Sequence, residues 1–354
     1  MDEQQAMGAR ADLEPFYHDA QVCVTGATGF LGGHLVRRML SIGARVTVFV
    51  RSPAKLPPDI AQAVDIVQGD LMNTQAIEHA LGRAEYIFHC AANVATWDRP
   101  EAYDLANVVG VKNLLAAIPK PAQGRLKRLI HVSTMDVYGF PDAPAVETAP
   151  TPINDFAYSE SKRVGESLLC AYCVDWAIPF TVIRPGNIIG PGSPFISRIG
   201  KELVSGLMLK INGGGVHAGL IDVDNLIDIL LWSGVSSAAH NKIFNARDSN
   251  NVTWSEFLGD FRDRLAGKGI ILNLSYRPAM MVARLIGGVH STFRLPGEPL
   301  LHPLIVNIFG KTCGHTIDRL QACGAPLGGV EYHDSLDRSV AWFVAGKGEK
   351  PGYV

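Results

Sequence analysis

Short apolar runs alternate along the chain with longer stretches in which apolar residues recur at helical spacing. The six clearest runs are Gln21–Thr25, Arg45–Val50, Asp65–Gln68, Tyr86–Cys90, Arg128–Ser133 and Phe180–Arg184. Runs of this length and composition predict β-strands, and most of them are separated by a predicted helix. The alternation predicts an α/β fold with a doubly wound parallel sheet.

The regular alternation fades after Arg184, where proline and glycine become frequent. We therefore expect a nucleotide-binding domain over residues 21–186 and a smaller, mixed substrate lobe over residues 187–354. The lobe can still return a strand or a helix to the first domain. Residues 1–20 carry several acidic residues and no long apolar segment, which predicts a solvated leader.

Charge and hydropathy narrow the possible functions. The formal net charge is -2, with acids and bases spread along the chain, so a nucleic-acid surface is not expected. Charged residues or prolines interrupt each apolar run before the roughly 18 residues that span a bilayer. The N-terminus lacks the pattern of a secretory signal. We expect a cytoplasmic protein that binds a small-molecule substrate, and leave a homodimer and peripheral membrane contact open.

The six cysteines are sparse for a chain of this length, which fits reduced thiols in a cytosol. Cys170 and Cys173 form a C-x-x-C pair, but they lie in a stretch with helical spacing. No second Cys or His pair follows at ligand spacing, so helix packing is the favoured interpretation and no metal site is predicted.

The first strand is followed by a glycine-rich turn, Thr25-Gly26-Ala27-Thr28-Gly29-Phe30-Leu31-Gly32, and then by a predicted helix. Glycines three residues apart allow a tight turn, a close approach of the backbone to a pyrophosphate, and close packing of helix on strand. The predicted cofactor contacts here are Gly26, Thr28, Gly29, Phe30, Leu31 and Gly32.

Arg51 ends the second strand, about twenty residues past the glycines, where this type of fold distinguishes between dinucleotides. An acid at this position would bind a ribose 2′-hydroxyl, whereas an arginine pairs with a 2′-phosphate. The sequence therefore favours NADP over NAD. A solvated arginine at a strand end is the alternative.

Tyr158 and Lys162 are four residues apart in a predicted helix, so their side chains share one face. A nearby cation lowers the pKa of a phenol, which would make Tyr158 a proton donor and acceptor at neutral pH. Ser133 and Thr134 end the fifth strand, where their hydroxyls can bind a substrate oxygen. These four residues form the predicted catalytic group.

Further motifs follow the same order: Gly69-Asp70-Leu71, Cys90-Ala91-Ala92, Val137-Tyr138-Gly139 and Arg184-Pro185-Gly186-Asn187. Taken together over residues 22–187, the pattern resembles the extended short-chain dehydrogenases/reductases of the NAD-dependent epimerase/dehydratase superfamily. The resemblance implies a Rossmann-type sheet and NAD(P)-dependent chemistry at a CH–OH group.

The resemblance also implies roles for single residues. Asp70, with Leu71 beside it, looks like the contact to the adenine end, and Ala91 and Ala92 resemble the segment next to the nicotinamide. Asn107 resembles a helix asparagine that joins the catalytic proton relay. Residues of the segment that flanks the nicotinamide amide complete the set: Pro185, Asn187 and Ile188.

Two short segments argue against a sugar-nucleotide substrate. Dehydratases of the family follow the threonine with an Asp-Glu pair, where this chain has Met135 and Asp136. Sugar-nucleotide enzymes also tend to carry an Arg-Asp anchor where Ala218 and Gly219 stand. Apolar stretches at 278–289 and 300–308 could mould to a hydrophobic ligand, although core packing explains such runs as well.

The chain is therefore most similar in character to the 3β-hydroxysteroid dehydrogenase and dihydroflavonol reductase branches. We expect it to interconvert a secondary alcohol and a ketone on a mostly apolar small molecule. Two alternatives stay open: a nucleotide-sugar 4-epimerase and a non-catalytic protein that senses NAD(P).

Overall fold

The structure is a computed structural model, which describes residues 13–119, 125–293, 295, 297–299 and 301–346. All six predicted strands are present, and the predicted doubly wound α/β fold is confirmed. The strands are β1 Gln21–Thr25, β2 Arg45–Val50, β3 Asp65–Gln68, β4 Tyr86–His89, β5 Arg128–Val132, β6 Phe180–Pro185, β7 Asn187–Ile189, β8 Leu207–Ile211, β9 Leu220–Asp222, β10 Lys242–Ala246 and β11 Ile270–Leu274.

Helices of very different length connect these strands. They are α1 Glu14–Tyr17, α2 Phe30–Ser41, α3 Pro58–Ala61, α4 Thr74–Leu81, α5 Pro100–Asp104, α6 Gly110–Ala117, α7 Ala157–Asp175, α8 Pro194–Ser205, α9 Val223–Val235, α10 Trp254–Arg264, α11 Tyr276–Thr292, α12 Pro303–Gly310, α13 Asp318–Ala322 and α14 Tyr332–Ala345. A π-helix, Leu105–Val109, lies between α5 and α6. None of the described helices combines the length and the hydropathy needed to cross a bilayer.

The main sheet has the strand order β10-β6-β5-β4-β1-β2-β3, and every strand pairs in parallel with its neighbours. Successive residues of β1 face opposite sides: Val22 and Val24 pack with α2 and α9, whereas Cys23 packs with α4, α6 and α7. Both faces are therefore buried, which explains why the central strands read as nearly continuous apolar runs.

The main sheet also includes a strand from residues that follow the predicted nucleotide-binding domain. Its edge strand β10 comes from residues 242–246, and α9 contacts both α2 and β5. On the N-terminal side, Tyr17 is fully buried and its hydroxyl donates to the Leu231 carbonyl at 2.6 Å. Residues 13–20 are thus only partly solvated and do not form a free leader, while residues 1–12 lie outside the described range.

The second lobe has a core of its own. Trp254, Phe257 and Phe261 of α10 are completely buried and pack with residues of α8, α11 and α12. Two small parallel sheets, β8 with β11 and β7 with β9, frame this core. The β7–β9 pair follows directly after β6, and so brings the second lobe to the carboxyl end of the main sheet.

Candidate active site

The glycine turn is shaped by contacts between backbone atoms. Gly26 has a φ of +78°, and a Cβ at this position would lie 2.7 Å from the Ala91 nitrogen. A Cβ on Gly32 would lie 2.2 Å from the Gly26 carbonyl oxygen. Gly29 is the N-cap residue of α2, and no side chain caps this twelve-residue helix. The first turn of α2 therefore offers backbone N–H groups and forms a cradle beside a turn whose backbone packs too closely for a side chain at Gly26 or Gly32.

This cradle fits the phosphates of a dinucleotide. Gly26 and Gly32 permit the close backbone packing of the turn, and the dipole of α2 favours an anion at its N-terminus. Thr28, Phe30 and Leu31 are half-buried around the turn. The Phe30 ring lies edge-on to His34, and the His34 ring bonds to the Pro191 carbonyl at 2.8 Å. A contact from the second lobe thus closes one side of the turn.

Arg51 and Asp70 lie at the carboxyl ends of neighbouring strands, β2 and β3, and both are exposed. Within the described residues, the Arg51 guanidinium has no hydrogen bond or ion pair. Asp70 accepts a hydrogen bond from the Met72 nitrogen at 2.9 Å. Leu71 is held in place through its carbonyl, which accepts from Asn113 at 2.8 Å. An acceptor or an anion can reach the guanidinium from solvent.

Asn107 is buried in the π-helix, an irregularity that is common at functional sites. Its amide accepts from the Asn93 nitrogen at 2.8 Å and donates to the Ser161 hydroxyl at 3.0 Å. The π-helix lies so close to α7 that a Cβ on Gly165 would be 2.1 Å from the Asn107 carbonyl oxygen. Asn107 therefore links the segment after Ala91 and Ala92 to the helix that carries Tyr158.

The two hydroxyl residues after β5 differ in their surroundings. Thr134 accepts a hydrogen bond from the Asp136 nitrogen at 3.2 Å, which starts a short 3-10 turn over Met135–Tyr138. Ser133 is buried, and its hydroxyl has no partner within the described residues. Burial raises the pKa of the Asp136 carboxyl to about 6. The Ser133 hydroxyl is thus enclosed by protein atoms.

Asn154 fixes where α7 begins. Its side chain accepts from the Phe156 nitrogen at 3.1 Å and donates to the Asp136 carbonyl at 3.1 Å. These bonds tie the first turn of α7, which carries Tyr158, to the turn that follows Thr134. The side chains of Thr134 and Tyr158 lie within hydrogen-bond distance of each other.

The pKa of Tyr158 moves in the opposite direction from the one expected. Burial raises the pKa of the phenol well above its usual value, and the nearby Asp136 charge raises it further; a hydrogen bond with the Thr134 side chain lowers it. The ammonium of Lys162 donates to the Val132 carbonyl at 2.7 Å, and burial lowers the pKa of Lys162 to about 8. The tyrosine is thus a neutral phenol that carries a proton at physiological pH.

A buried network holds α7 against the sheet. Arg184, at the end of β6, forms an ion pair with Glu166 of α7 and donates to the Tyr138 hydroxyl at 2.7 Å. Tyr138 in turn donates to the Asn245 side chain at 2.8 Å. Because every charge in this network has a partner, it positions the helix without leaving an unpaired buried ion.

The segment after β6 also meets the second lobe. Asn187 donates to the Ala218 carbonyl at 2.6 Å, and Ile188 pairs with Ile221 in the β7–β9 sheet. Pro185 ends β6 and pairs with Ala246. These three residues therefore lie where the main sheet ends and the second lobe begins.

Tyr158 lies in the wall of a cavity of about 580 Å³ between the two lobes. The second lobe contributes Met280, Arg284 and Leu304 to this wall, and the first lobe contributes Tyr103 and Phe156. A neighbouring cavity of about 550 Å³ shares Tyr276 and Lys311 with it. Lys311 is already paired with Asp142 and lies 5.1 Å from the centre of the Tyr276 ring.

The sequence interpretation missed several residues of this wall. Tyr103 lies with its ring centre 6.0 Å from that of Tyr158, and its hydroxyl donates to the Ala95 carbonyl. Trp97 contacts His302 across the two lobes, with ring centres 5.1 Å apart. The spacing of apolar residues along the sequence does not reveal a contact between residues so far apart. Among the described residues, no group of three or more His, Cys, Asp or Glu side chains is arranged to hold a metal ion.

Comparison with known proteins finds a family model and several relatives that match this chain. Residues 22–246 match the model of the NAD dependent epimerase/dehydratase family. The 2-alkyl-3-oxoalkanoate reductase of Stenotrophomonas maltophilia is 25% identical over 293 residues, which cover 79% of this chain and 86% of the reductase. The decarboxylating sterol-4-alpha-carboxylate 3-dehydrogenase of Saccharomyces cerevisiae is 27% identical over 252 residues, which cover 67% of this chain and 69% of that enzyme.

Among solved structures, an epimerase from Methanothermobacter thermautotrophicus superposes with a TM-score of 0.76. The match covers 96% of each chain at 18% sequence identity. A similarity at this level of identity establishes that the two chains share a fold, including the second lobe. It does not identify the reaction.

Proposed function

Because the chain belongs to the NAD dependent epimerase/dehydratase family and is an NAD(P)-dependent oxidoreductase, we propose that it interconverts a ketone and a secondary alcohol on a mostly apolar small molecule. The observation that carries this proposal is the segment 218–219, which has no cationic side chain to anchor a diphosphate. The cavity that Tyr158 lines has a wall of mixed polarity, with the apolar Met280 as well as the charged Arg284 and Lys311. Both relatives described above are named for reactions of this general kind, a ketone reduction and a sterol dehydrogenation.

The segment at Ala218 and Gly219 supports a substrate without a diphosphate. Ala218 is fully buried, and Gly219 has a φ of +62° with its would-be Cβ only 2.3 Å from the Cys313 carbonyl oxygen. An arginine cannot replace either residue without displacing the backbone. A diphosphate would therefore lack a cationic partner at this position and would lose charge-assisted hydrogen bonds.

The proposed mechanism uses the neutral form of Tyr158. The nicotinamide, when bound, supplies the hydride to the carbonyl carbon. Tyr158 donates its proton to the carbonyl oxygen, while the Thr134 hydroxyl orients that oxygen by a hydrogen bond. The enclosed Ser133 hydroxyl does not take part directly. Lys162 stabilises the tyrosinate that remains, and Asn107 holds the neighbouring helix in position. In the oxidative direction the same groups act in reverse.

For the cofactor we propose a preference for NADP(H) over NAD(H). The exposed Arg51 guanidinium has no partner within the described residues and stands at the end of β2. A bidentate bond from arginine to a 2′-phosphate is a strong, charge-assisted contact. We also propose a cytoplasmic location, which the six free cysteines support.

The test is turnover on chemically distinct substrates. The NADPH-loaded protein is mixed with hydrophobic ketones such as steroids and 2-alkyl-3-oxo compounds, while nicotinamide absorbance is followed. In parallel, the protein loaded with oxidised cofactor is mixed with UDP- and dTDP-sugars, and the epimers formed are separated by chromatography. We expect saturable turnover of at least one apolar ketone. Epimerisation of a nucleotide sugar, with no turnover of any apolar ketone or alcohol, would reassign the protein as an epimerase.

A further inference from the structure

Helix α11 presents a row of large apolar side chains to solvent. Met281, Leu285 and Val289 are 73%, 69% and 43% exposed, and Phe293, directly after the helix, is 71% exposed. These four residues, here called the apolar stripe, recur every four positions and so lie along one side of the helix. Exposed apolar side chains that stand singly are ordinary, but a contiguous row of four is not.

The opposite side of α11 is fixed in the protein. Ala279, Met280 and Ala283 are buried in the core of the second lobe, and Gly287 is buried beside them. The helix therefore does not need the apolar stripe for its own packing. Among the described residues, the apolar stripe is not covered by any other part of the chain.

The charges of this helix have one sign. Arg277 and Arg284 are exposed, and residues 276–293 contain no aspartate or glutamate. Neither guanidinium has a hydrogen bond or an ion pair within the described residues. At 100° per residue, the two arginines lie on the same flank of the apolar stripe. A helix with an apolar side and a cationic flank is the pattern of an interfacial membrane helix.

The arginines also decide between two possible occupants of this surface. A second copy of the chain, packed stripe against stripe about a two-fold axis, would place four unpaired arginines in or beside one interface. Anionic phospholipid headgroups would neutralise the charges of the same arginines. Charge complementarity therefore favours the lipid surface.

The active-site cavity borders the same helix. Met280 and Gly287 of its buried side line that cavity, together with the exposed Arg284 and Gly288. The cavity wall and the apolar stripe are thus two sides of one helix. A protein seated on a bilayer through this helix would hold the cavity close to the lipid surface.

From these observations we propose that α11 docks on the surface of an anionic phospholipid bilayer, with the apolar stripe inserted among the acyl chains and Arg277 and Arg284 at the headgroups. This contact is peripheral and goes beyond the proposed reaction. It also stands independently of which ketone the enzyme reduces.

The test is co-sedimentation of the full chain with vesicles of phosphatidylcholine alone and of phosphatidylcholine mixed with phosphatidylglycerol. We expect binding to the anionic vesicles that weakens with added salt. The double variant Met281→Ser/Leu285→Ser should lower the partition coefficient at least tenfold. The matched control, Phe16→Ser/Val174→Ser, removes two side chains that are 55% and 67% exposed elsewhere and should bind like the wild type.

Circular dichroism and thermal melting of each variant establish that the fold is retained. The proposal is overturned if the wild-type protein stays in solution with both kinds of vesicle, or if the apolar-stripe variant binds as tightly as the wild type. It is equally overturned if sedimentation velocity shows a dimer that only the apolar-stripe variant disrupts, because a second copy would then be the occupant.

Discussion

The glycine turn and the cavity that Tyr158 lines are built in different ways. Eight consecutive residues, 25–32, form the turn, and its shape is set by backbone contacts such as the one between Gly26 and Ala91. The cavity wall is assembled from side chains of distant segments, including Trp97, Met280 and Leu304. Changes in the turn should therefore affect the cofactor for any substrate, whereas changes in the wall should affect one substrate more than another.

The largest effect is expected at Tyr158, in the wall of the cavity. Tyr158→Phe removes the proton donor and keeps the ring, so kcat should fall by about 10²- to 10⁴-fold while the affinity for the cofactor stays within a few-fold. Steady-state kinetics and a fluorescence titration with NADPH measure the two quantities. Near-normal turnover by the phenylalanine variant would remove Tyr158 from the proposed mechanism.

A smaller effect is expected for alanine substitutions at two glycines with positive φ. The comparison separates the cost of a steric contact with the backbone from the cost of the backbone conformation. Gly26→Ala forces a left-handed φ on alanine and also places its Cβ 2.7 Å from a backbone nitrogen, so the free energy of unfolding should fall by about 2 to 4 kcal/mol. Cofactor binding should weaken as well. Gly213→Ala is the matched control, since its φ is +75° but no atom lies within 4 Å of the added Cβ.

Urea denaturation of both alanine variants gives the comparison. The control should lose only the conformational part, about 1 to 2 kcal/mol. Equal losses in the two variants would show that the contact with Ala91 contributes nothing to the turn.

Cofactor preference offers the next test. If Arg51 binds the 2′-phosphate, the wild type should bind NADPH about ten- to a hundredfold more tightly than NADH, and Arg51→Asp should abolish that preference. Arg83→Asp makes the same charge change at another exposed site and should leave the preference unchanged. Isothermal titration gives the four dissociation constants for each comparison. Equal affinities of the wild type for the two cofactors would contradict the proposal.

The smallest effect belongs to the cavity wall. Gly288 lines the cavity, and a Cβ added there meets no atom within 4 Å, so Gly288→Val should fold normally. It should lower kcat/KM for a bulky ketone by about tenfold without changing the dissociation constant for NADPH. Gly259→Val, at an equally open position on α10, is the control. If both variants reduce turnover alike, the cavity is not where the substrate binds.

The sequence predicted the first lobe well because its signals are local. Each buried strand is one apolar run, and the glycine turn with its following helix is contiguous, so both appear directly in the pattern. The resemblance to extended short-chain dehydrogenases/reductases, which rests on motifs between residues 22 and 187, is confirmed by the family match. The roles assigned to single site residues stay predictions until the variants above are measured.

The parts that could not be predicted depend on contacts between distant residues. Nothing in the sequence near Tyr158 shows that Asp136 and burial together raise the pKa of the phenol, because burial is a property of the folded site. The apolar stretch 278–289 is likewise divided by the fold: Met280 lines the cavity, whereas Met281 and Leu285 face solvent. Hydropathy alone treats these neighbours as equivalent.

Strand β10 has a consequence for the order in which the protein can form during synthesis. Because β6 pairs with residues 242–246, its outer edge has no partner until some 60 further residues have left the ribosome. Tyr17 must likewise wait for α9, where it bonds to Leu231. A nascent chain that stops near residue 186 would expose an unpaired strand edge, a known route to aggregation. The shortest fragment expected to fold alone therefore ends beyond residue 246.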